Sequence, residues 1–177
     1  MKYKGKTYKK IILVGSPGSG KSYLSKIIAK YTGYTLIHLD NEYWKPGWTE
    51  TPKTEWINRQ KELISGESWI IDGNYNSTLE IRFAAADCVI FLDINRLICI
   101  YGAWKRHGKN RSDLPEYLEE KKDKEFLEFI KWIWDFPKNH RKKILDLHNQ
   151  YPDKQFIVLK SRREVNRFVK ELEENLN

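Results

Sequence analysis

The chain has 177 residues, 40% of them hydrophobic and 14% aromatic, enough to bury a substantial core and too rich in Trp, Tyr and Phe for a disordered tail or linker. Thirty-two Lys and Arg against 24 Asp and Glu leave a formal charge of +8, which favours anionic partners such as nucleotides, phosphates, nucleic acid or a membrane surface without choosing among them. Two cysteines, Cys88 and Cys99, lie in apolar runs at no metal-binding spacing and are too few for a disulfide framework. They read as buried reduced thiols, and the protein as cytoplasmic. The basic start, Met1 to Lys10, is followed by only four apolar residues, too few for a signal-peptide core. The apolar stretch Cys88 to Trp104 is broken by Asp93, Asn95 and Arg96 and does not read as a membrane span.

In chain order, Ile11-Ile12-Leu13-Val14 is a short continuous apolar run closed by glycine, the pattern of a strand buried on both faces. Leu24, Ile27, Ile28 and Tyr31 recur at three- and four-residue steps and predict an amphipathic helix stopped at Gly33. Thr35 to Leu39 is a second strand, Trp56 to Ile64 a helix, Trp69 to Ile71 a third strand, Leu79 to Ala86 a short helix and Val89 to Leu92 a fourth strand. A helix from about Arg96 to Arg106 precedes the polar, basic stretch His107 to Pro115, which reads as a loop. Glu116 to Phe136 predicts a long helix interrupted by Pro137, a further helix runs to about Asn149, Phe156 to Leu159 is a fifth strand, and Glu164 to Leu176 closes the chain as an amphipathic helix. Alternating strands and helices imply βαβ units, a parallel sheet and helices on both sides. One domain over residues 1–177, with a lid-like insertion, is the expected organisation.

Gly15-Ser16-Pro17-Gly18-Ser19-Gly20-Lys21-Ser22 has the spacing G-x-x-x-x-G-K-S, placed between a buried strand and a helix. Glycines let main-chain N–H groups turn inward around a phosphate, and the helix N-terminus adds unsatisfied donors with partial positive charge. Lys21 is the expected partner of the β- and γ-phosphates of ATP, and Ser22 of Mg²⁺. Asp40 and Asp72 each follow a strand, where ligands of open parallel sheets bind; such carboxylates hold Mg²⁺ through water or accept the proton of an attacking hydroxyl, or else cap helices. Asp93, followed by Asn95 and Arg96, reads as a helix cap.

The loop, Asp40, the stretch Asp40 to Trp48 and Ile71-Asp72-Gly73-Asn74-Tyr75 together resemble the adenylate-kinase-related P-loop kinases. The resemblance is greatest to the subgroup called DNA topology modulation proteins, which is also similar over Asp87 to Asp93, Lys105-Arg106, Arg111-Ser112-Asp113 and Trp132 to Pro137. It runs from about Lys10 to Val169 and implies a P-loop NTPase fold of the nucleoside/nucleotide-kinase kind, with a five-stranded parallel sheet, an acceptor-binding segment at about 40–66 and an arginine-bearing lid at about 106–116. Two positions depart from the adenylate-kinase pattern. Asn76 stands where an arginine grips the acceptor's phosphate, leaving Arg82 as the nearby substitute, and Gly102 stands where an arginine often precedes Arg106 by one turn.

Arg106 and Arg111 fit a basic lid over the phosphates, or a solvated loop. Arg82 and Arg96 read as site residues or as surface pairs. Trp44 and Trp48, beside Pro46 and Gly47, read as a stacking surface for a planar or sugar-like acceptor or as a plug under the loop. Trp132 and Trp134 read as core, and Ser161-Arg162-Arg163 as a frame for adenine or a helix cap with surface arginines. His38, His107, His140 and His148 show no pattern with acids or cysteines. The expected activity is Mg²⁺-dependent transfer of the γ-phosphoryl of ATP to a small acceptor. Its catalytic groups are Lys21, Asp40, Arg106 and Arg111; Ser22 and Asp72 take the metal, and Asp40, Trp44, Trp48, Asp72 and Arg82 the acceptor. A nucleic-acid-binding ATPase affecting DNA topology, or a nucleotide-binding protein with decayed catalysis, is the alternative. Dispersed lysines interleaved with Asp and Glu, and no recognisable reading element, disfavour nucleic acid.

Overall fold

A computed structural model describes residues 1–107 and 123–174. The chain opens with a two-stranded hairpin, β1 (Lys2–Tyr3) and β2 (Lys6–Thr7), which the hydrophobic pattern did not predict. Its two turn residues, Lys4 and Gly5, both have positive φ (47° and 75°), as a two-residue hairpin turn of matching twist requires. There follow β3 (Lys10–Gly15), α1 (Lys21–Thr32), β4 (Thr35–His38), α2 (Leu39–Tyr43), the short antiparallel pair β5 (Trp44–Lys45) and β6 (Thr49–Glu50), and α3 (Lys53–Leu63). The remainder is β7 (Trp69–Asp72), α4 (Leu79–Ala85), β8 (Cys88–Leu92), α5 (Arg96–Trp104), α6 (Asp123–Asn139), α7 (Arg141–Gln150), β9 (Gln155–Leu159) and α8 (Arg162–Glu174).

Five strands form one parallel sheet in the order β4-β7-β3-β8-β9. The two-residue period of the strands divides the interior into two cores. Ile11 and Leu13 of β3, with Ile70 and Ile90, pack against Leu24 and Ile28 of α1, Cys99 of α5, Ile133 of α6 and Phe168 of α8. Ile12 and Val14, with Ile71, Val89 and Phe91, face the other way onto Leu39, Trp56, Leu79, Phe83 and Ile144. Each such strand residue is buried on its own face, worth roughly 1.5–3 kcal/mol per large aliphatic side chain against exposure. Chain order reverses at β3, so its carboxyl end, between β7 and β8, is the crevice where a doubly wound sheet binds ligands.

Several local expectations are corrected. Pro137 does not interrupt α6: it lies inside the last turn, and the break comes at His140. A proline forfeits one hydrogen bond there, and the aromatic packing of Phe136 carries the helix past it. Trp132 and Trp134 are 36% and 46% exposed, while Ile133 and Phe136 take the buried positions. Trp134 instead lies under the Arg96 guanidinium, 4.0 Å from ring centre to charge, so Arg96 is engaged at the surface. Asp40 does not end a strand; β4 stops at His38, and Asp40 sits in the first turn of α2. Asn95, not Asp93, caps α5 by accepting from the Leu97 N–H. Cys88 and Cys99 are buried and free, and burial pushes the Cys88 thiol up to about 12. Among the described residues no helix is long and apolar enough to cross a membrane.

Candidate active site

The loop Ser16–Gly20 joins β3 to α1 at the carboxyl edge of the sheet. Gly18 has φ 76°, and a Cβ there would lie 2.0 Å from the Cys99 carbonyl oxygen. The approach is mutual, since a Cβ on Gly102 would lie 2.7 Å from the Gly18 oxygen. Helix α5 is thus seated backbone to backbone on the loop, and position 102 has no room for the arginine of the adenylate-kinase pattern. Ser16 and Ser19 are buried; the Ser19 hydroxyl has no hydrogen-bond partner, and that of Ser16 has only the Cys99 thiol beside it. Unsatisfied buried hydroxyls in a glycine loop at a helix N-terminus fit an oxygen-rich anion, the chemistry of a triphosphate. Pro17, between them, and Gly20, the residue that precedes α1 with φ 99°, complete the turn.

Lys21 donates from Nζ to the carbonyls of Gly15 (2.9 Å) and Ser16 (3.1 Å). Burial pushes its ammonium below the usual lysine range, the carboxylates of Asp72 and Asp40 draw it back up, and Arg106 adds to the downward push. The sequence candidates Asp40, Asp72 and Arg106 are therefore all within electrostatic reach of Lys21. Arg106 follows α5 and donates from Nε to the Gly102 carbonyl at 3.2 Å. Arg111 lies outside the described residues, as does most of the expected lid at 106–116.

Asp72, 5% exposed, accepts at Oδ2 from the Ser25 hydroxyl (2.9 Å) and lies 2.9 Å from His38 Nδ1. This corrects the reading of His38 as unconnected to any acid: β4 and β7 are adjacent and in register at His38 and Asp72, which no spacing in the sequence reveals. Ser22, half-buried at the start of α1, and Asp72 are hard-oxygen donors of the kind Mg²⁺ takes beside phosphates. Among the described residues no group of three or more His, Cys, Asp or Glu forms a dedicated metal cage.

On the other wall, Asp40 Oδ1 accepts from the Tyr75 hydroxyl at 2.8 Å, and burial first, then the Asp40 charge, pushes that phenol far up. Tyr75 belongs to an aromatic cluster with Tyr43 (4.6 Å between ring centres) and Trp56 (5.1 Å), continued by Trp44 against Tyr43 (4.9 Å) and Trp48 against Trp44 (5.5 Å). Trp56, 2% exposed, is the plug; Trp44 and Trp48 are half-buried beyond it. Arg82 is fully buried, donating to Gln60 Oε1, to the Thr78 hydroxyl (2.9 Å) and to the Asn74 carbonyl. Burial lowers the pKa of its guanidinium. It holds the loop after β7 and presents no surface to a ligand.

Three further residues act here in roles that the sequence reading did not give them. The Asn74 side chain accepts from the Gly15 N–H (3.0 Å) and donates to the Gly15 carbonyl (2.8 Å), extending the β3–β7 ladder by a side chain. Arg162 donates to the carbonyls of Ser19 (2.6 Å) and Gly18 (3.0 Å), bracing the loop from outside, while Ser161 accepts from the Glu164 N–H as the cap of α8. Arg141, at the start of α7, grips Asp93 through Nε and Nη2 at 3.0–3.1 Å. The only sequence signal for Asn74 was its place one residue beyond Asp72-Gly73.

A parallel sheet whose central strand ends in this glycine loop, with Lys21 opening the helix that follows, defines the fold class: a P-loop fold. No family profile and none of the curated proteins matches the chain. Solved structures do. A shikimate kinase from Acinetobacter baumannii, in complex with shikimate, matches with a TM-score of 0.63 at 14% identity over 96% of this chain and 93% of that one. A shikimate kinase from Bacteroides thetaiotaomicron matches at 0.53 and 18% identity over 96% and 99%, and a gluconokinase from Sinorhizobium meliloti 1021 at 0.54 and 14% over 95% and 91%. The fold is therefore that of the shikimate kinase- and gluconokinase-like P-loop proteins.

Proposed function

We propose that the protein is an ATP-dependent kinase that transfers the γ-phosphoryl group to a hydroxyl of a small molecule. The observation that carries this is the anion-fitted loop, with its buried serine hydroxyls and Lys21. It is flanked by Asp72, which is bonded to Ser25 of the helix the loop opens, and by Asp40, which is bonded to Tyr75 of the aromatic cluster. The loop amides and Lys21 take the β- and γ-phosphates, for which Lys21 leaves its carbonyl partners in the loop. Asp40 orients the acceptor hydroxyl and accepts its proton. Arg106, and Arg111 on the sequence reading, stabilise the charge that spreads over the transferred oxygens. Ser22 and Asp72 would hold Mg²⁺, which would supply neutralisation of the phosphate charge. The named neighbours, two shikimate kinases and a gluconokinase, phosphorylate small hydroxyl compounds by their names, which supports the same reaction class here. The finer placement with the DNA topology modulation proteins rests on the sequence stretches above.

Lys21→Ala is the test. Calorimetry should show loss of ATP binding and a coupled ADP assay loss of transfer, with far-UV circular dichroism unchanged. A folded Lys21→Ala variant that binds ATP and turns over normally would overturn the assignment.

A further inference from the structure

On the footing of that kinase reading, we propose that His38 and Ser25 are positioning residues that make Asp72 a one-oxygen ligand, and so favour Mg²⁺ over Ca²⁺ at the nucleotide site. Asp72 closes β7 and is buried. Its two hydrogen bonds both end on Oδ2, one from the Ser25 hydroxyl at 2.9 Å and one from His38 Nδ1 at 2.9 Å. A carboxylate only accepts, so the imidazole donates there, and the bond fixes a proton on Nδ1. The His38 and Asp72 side chains are 13% and 7% exposed, so bulk water competes little for the pair. Oδ1 is the oxygen that these bonds leave to a ligand.

The two donors come from different elements. Ser25 lies one turn beyond Ser22 on α1, and its hydroxyl is 3.2 Å from the Ser22 carbonyl. His38 ends β4, in register with Asp72 of the neighbouring β7 and two residues before Asp40. One oxygen of Asp72 is thus tied both to the helix that the glycine loop opens and to the strand that leads to Asp40. Against the downward push of burial on Lys21, Asp72 is the stronger of the two carboxylates that draw its ammonium back up, so it lies within reach of the phosphate-binding lysine. Mg²⁺ demands near-octahedral geometry from single oxygens, whereas Ca²⁺ takes more ligands and accepts both oxygens of one carboxylate. Two bonds on Oδ2 oppose the rotation that would present both oxygens. Removing either bond frees that rotation and leaves the loop that holds the phosphates as it is. Hydrogen-bond partners of metal-binding side chains typically carry about 10- to 100-fold in metal affinity.

The test is calorimetry and needs no acceptor. Binding of a non-hydrolysable ATP analogue is measured in EDTA, in Mg²⁺ and in Ca²⁺, on the wild type, His38→Phe, His38→Asn and Ser25→Ala. His38→Phe keeps a ring and loses the donor, while His38→Asn sets an amide N–H near the place of Nδ1. In His38→Phe the preference for Mg²⁺ over Ca²⁺, read as the ratio of the two Kd values, should fall about 10-fold, with binding in EDTA unchanged. A role in folding alone would move all three media together. His38→Asn should bring the ratio back to near the wild-type value. Ser25→Ala removes the other bond through a small change at a buried position, so it should lower the ratio too, and it decides the matter should His38→Phe fail to fold. A wild-type ratio in folded His38→Phe or Ser25→Ala overturns the proposal, as does a wild type that binds the analogue without preferring Mg²⁺. A wild type that binds the analogue in none of the three media sinks the kinase reading, and the proposal with it.

Discussion

Replacing Asn74 by alanine removes both hydrogen bonds that fasten Gly15, the last residue of β3, to the loop after β7. In the ATP-free protein the Gly15 carbonyl keeps a second donor, Lys21 Nζ at 2.9 Å, whereas its buried N–H loses the Asn74 acceptor. An unsatisfied buried donor costs about 1–3 kcal/mol, which for a chain of this size lowers Tm by about 2–12 °C. On the proposed binding mode, Lys21 leaves for the phosphates when ATP binds, and the carbonyl loses its remaining partner as well. That second loss, about 0.5–1.5 kcal/mol, falls only on the bound state and weakens ATP by about 2- to 12-fold. Asn74→Asp sharpens the test. Its carboxylate still accepts from the N–H but faces the Gly15 carbonyl oxygen, and only the protonated acid donates there. ATP affinity of Asn74→Asp should therefore improve as pH falls toward the carboxyl's pKa, a trend absent from Asn74→Ala. Calorimetry from pH 5 to 8 and thermal melting read both effects. An Asn74→Ala protein with unchanged Tm and ATP affinity would show that the clamp contributes nothing.

Gly102→Ala puts a methyl 2.7 Å from the Gly18 oxygen, a backbone atom that cannot swing aside; about 1–3 kcal/mol of stability and some ATP affinity should be lost, read by melting and calorimetry. Ile133→Ala should cost about 2–5 kcal/mol in urea unfolding and Trp134→Ala far less, because Ile133 has 0% exposure and Trp134 46%. Burial holds His140 below its ordinary pKa, so the unfolded chain binds its proton more readily; stability should fall as pH drops below 6.5, and His140→Gln should lose that component of the pH–Tm profile.

Chemistry was legible in the sequence wherever it depends on residues close together in the chain. The loop Gly15 to Ser22 is one contiguous turn whose conformational demands only glycine meets, and the apolar runs of β3, β7 and β8 are continuous because both faces of the sheet are covered. From these came the parallel sheet and the placement of Lys21 at its carboxyl edge. The weaker elements escaped: the β1–β2 hairpin has no hydrophobic alternation, and the tryptophans of α6 looked apolar enough for the core although the helix turns them outward. Contacts between distant residues were decided by the tertiary structure alone. Asp72 meets His38 because β4 and β7 lie side by side, Asn74 meets Gly15 across 59 residues, Arg162 braces a loop 143 residues earlier, and Arg82 is sealed inside because α3 and α4 close over it. A sequence carries periodicity and local backbone preference, which extend over a few turns of chain. Which charges neutralise one another, and which remain to meet a ligand, depends on strand order and register, and those exist only once the sheet has formed.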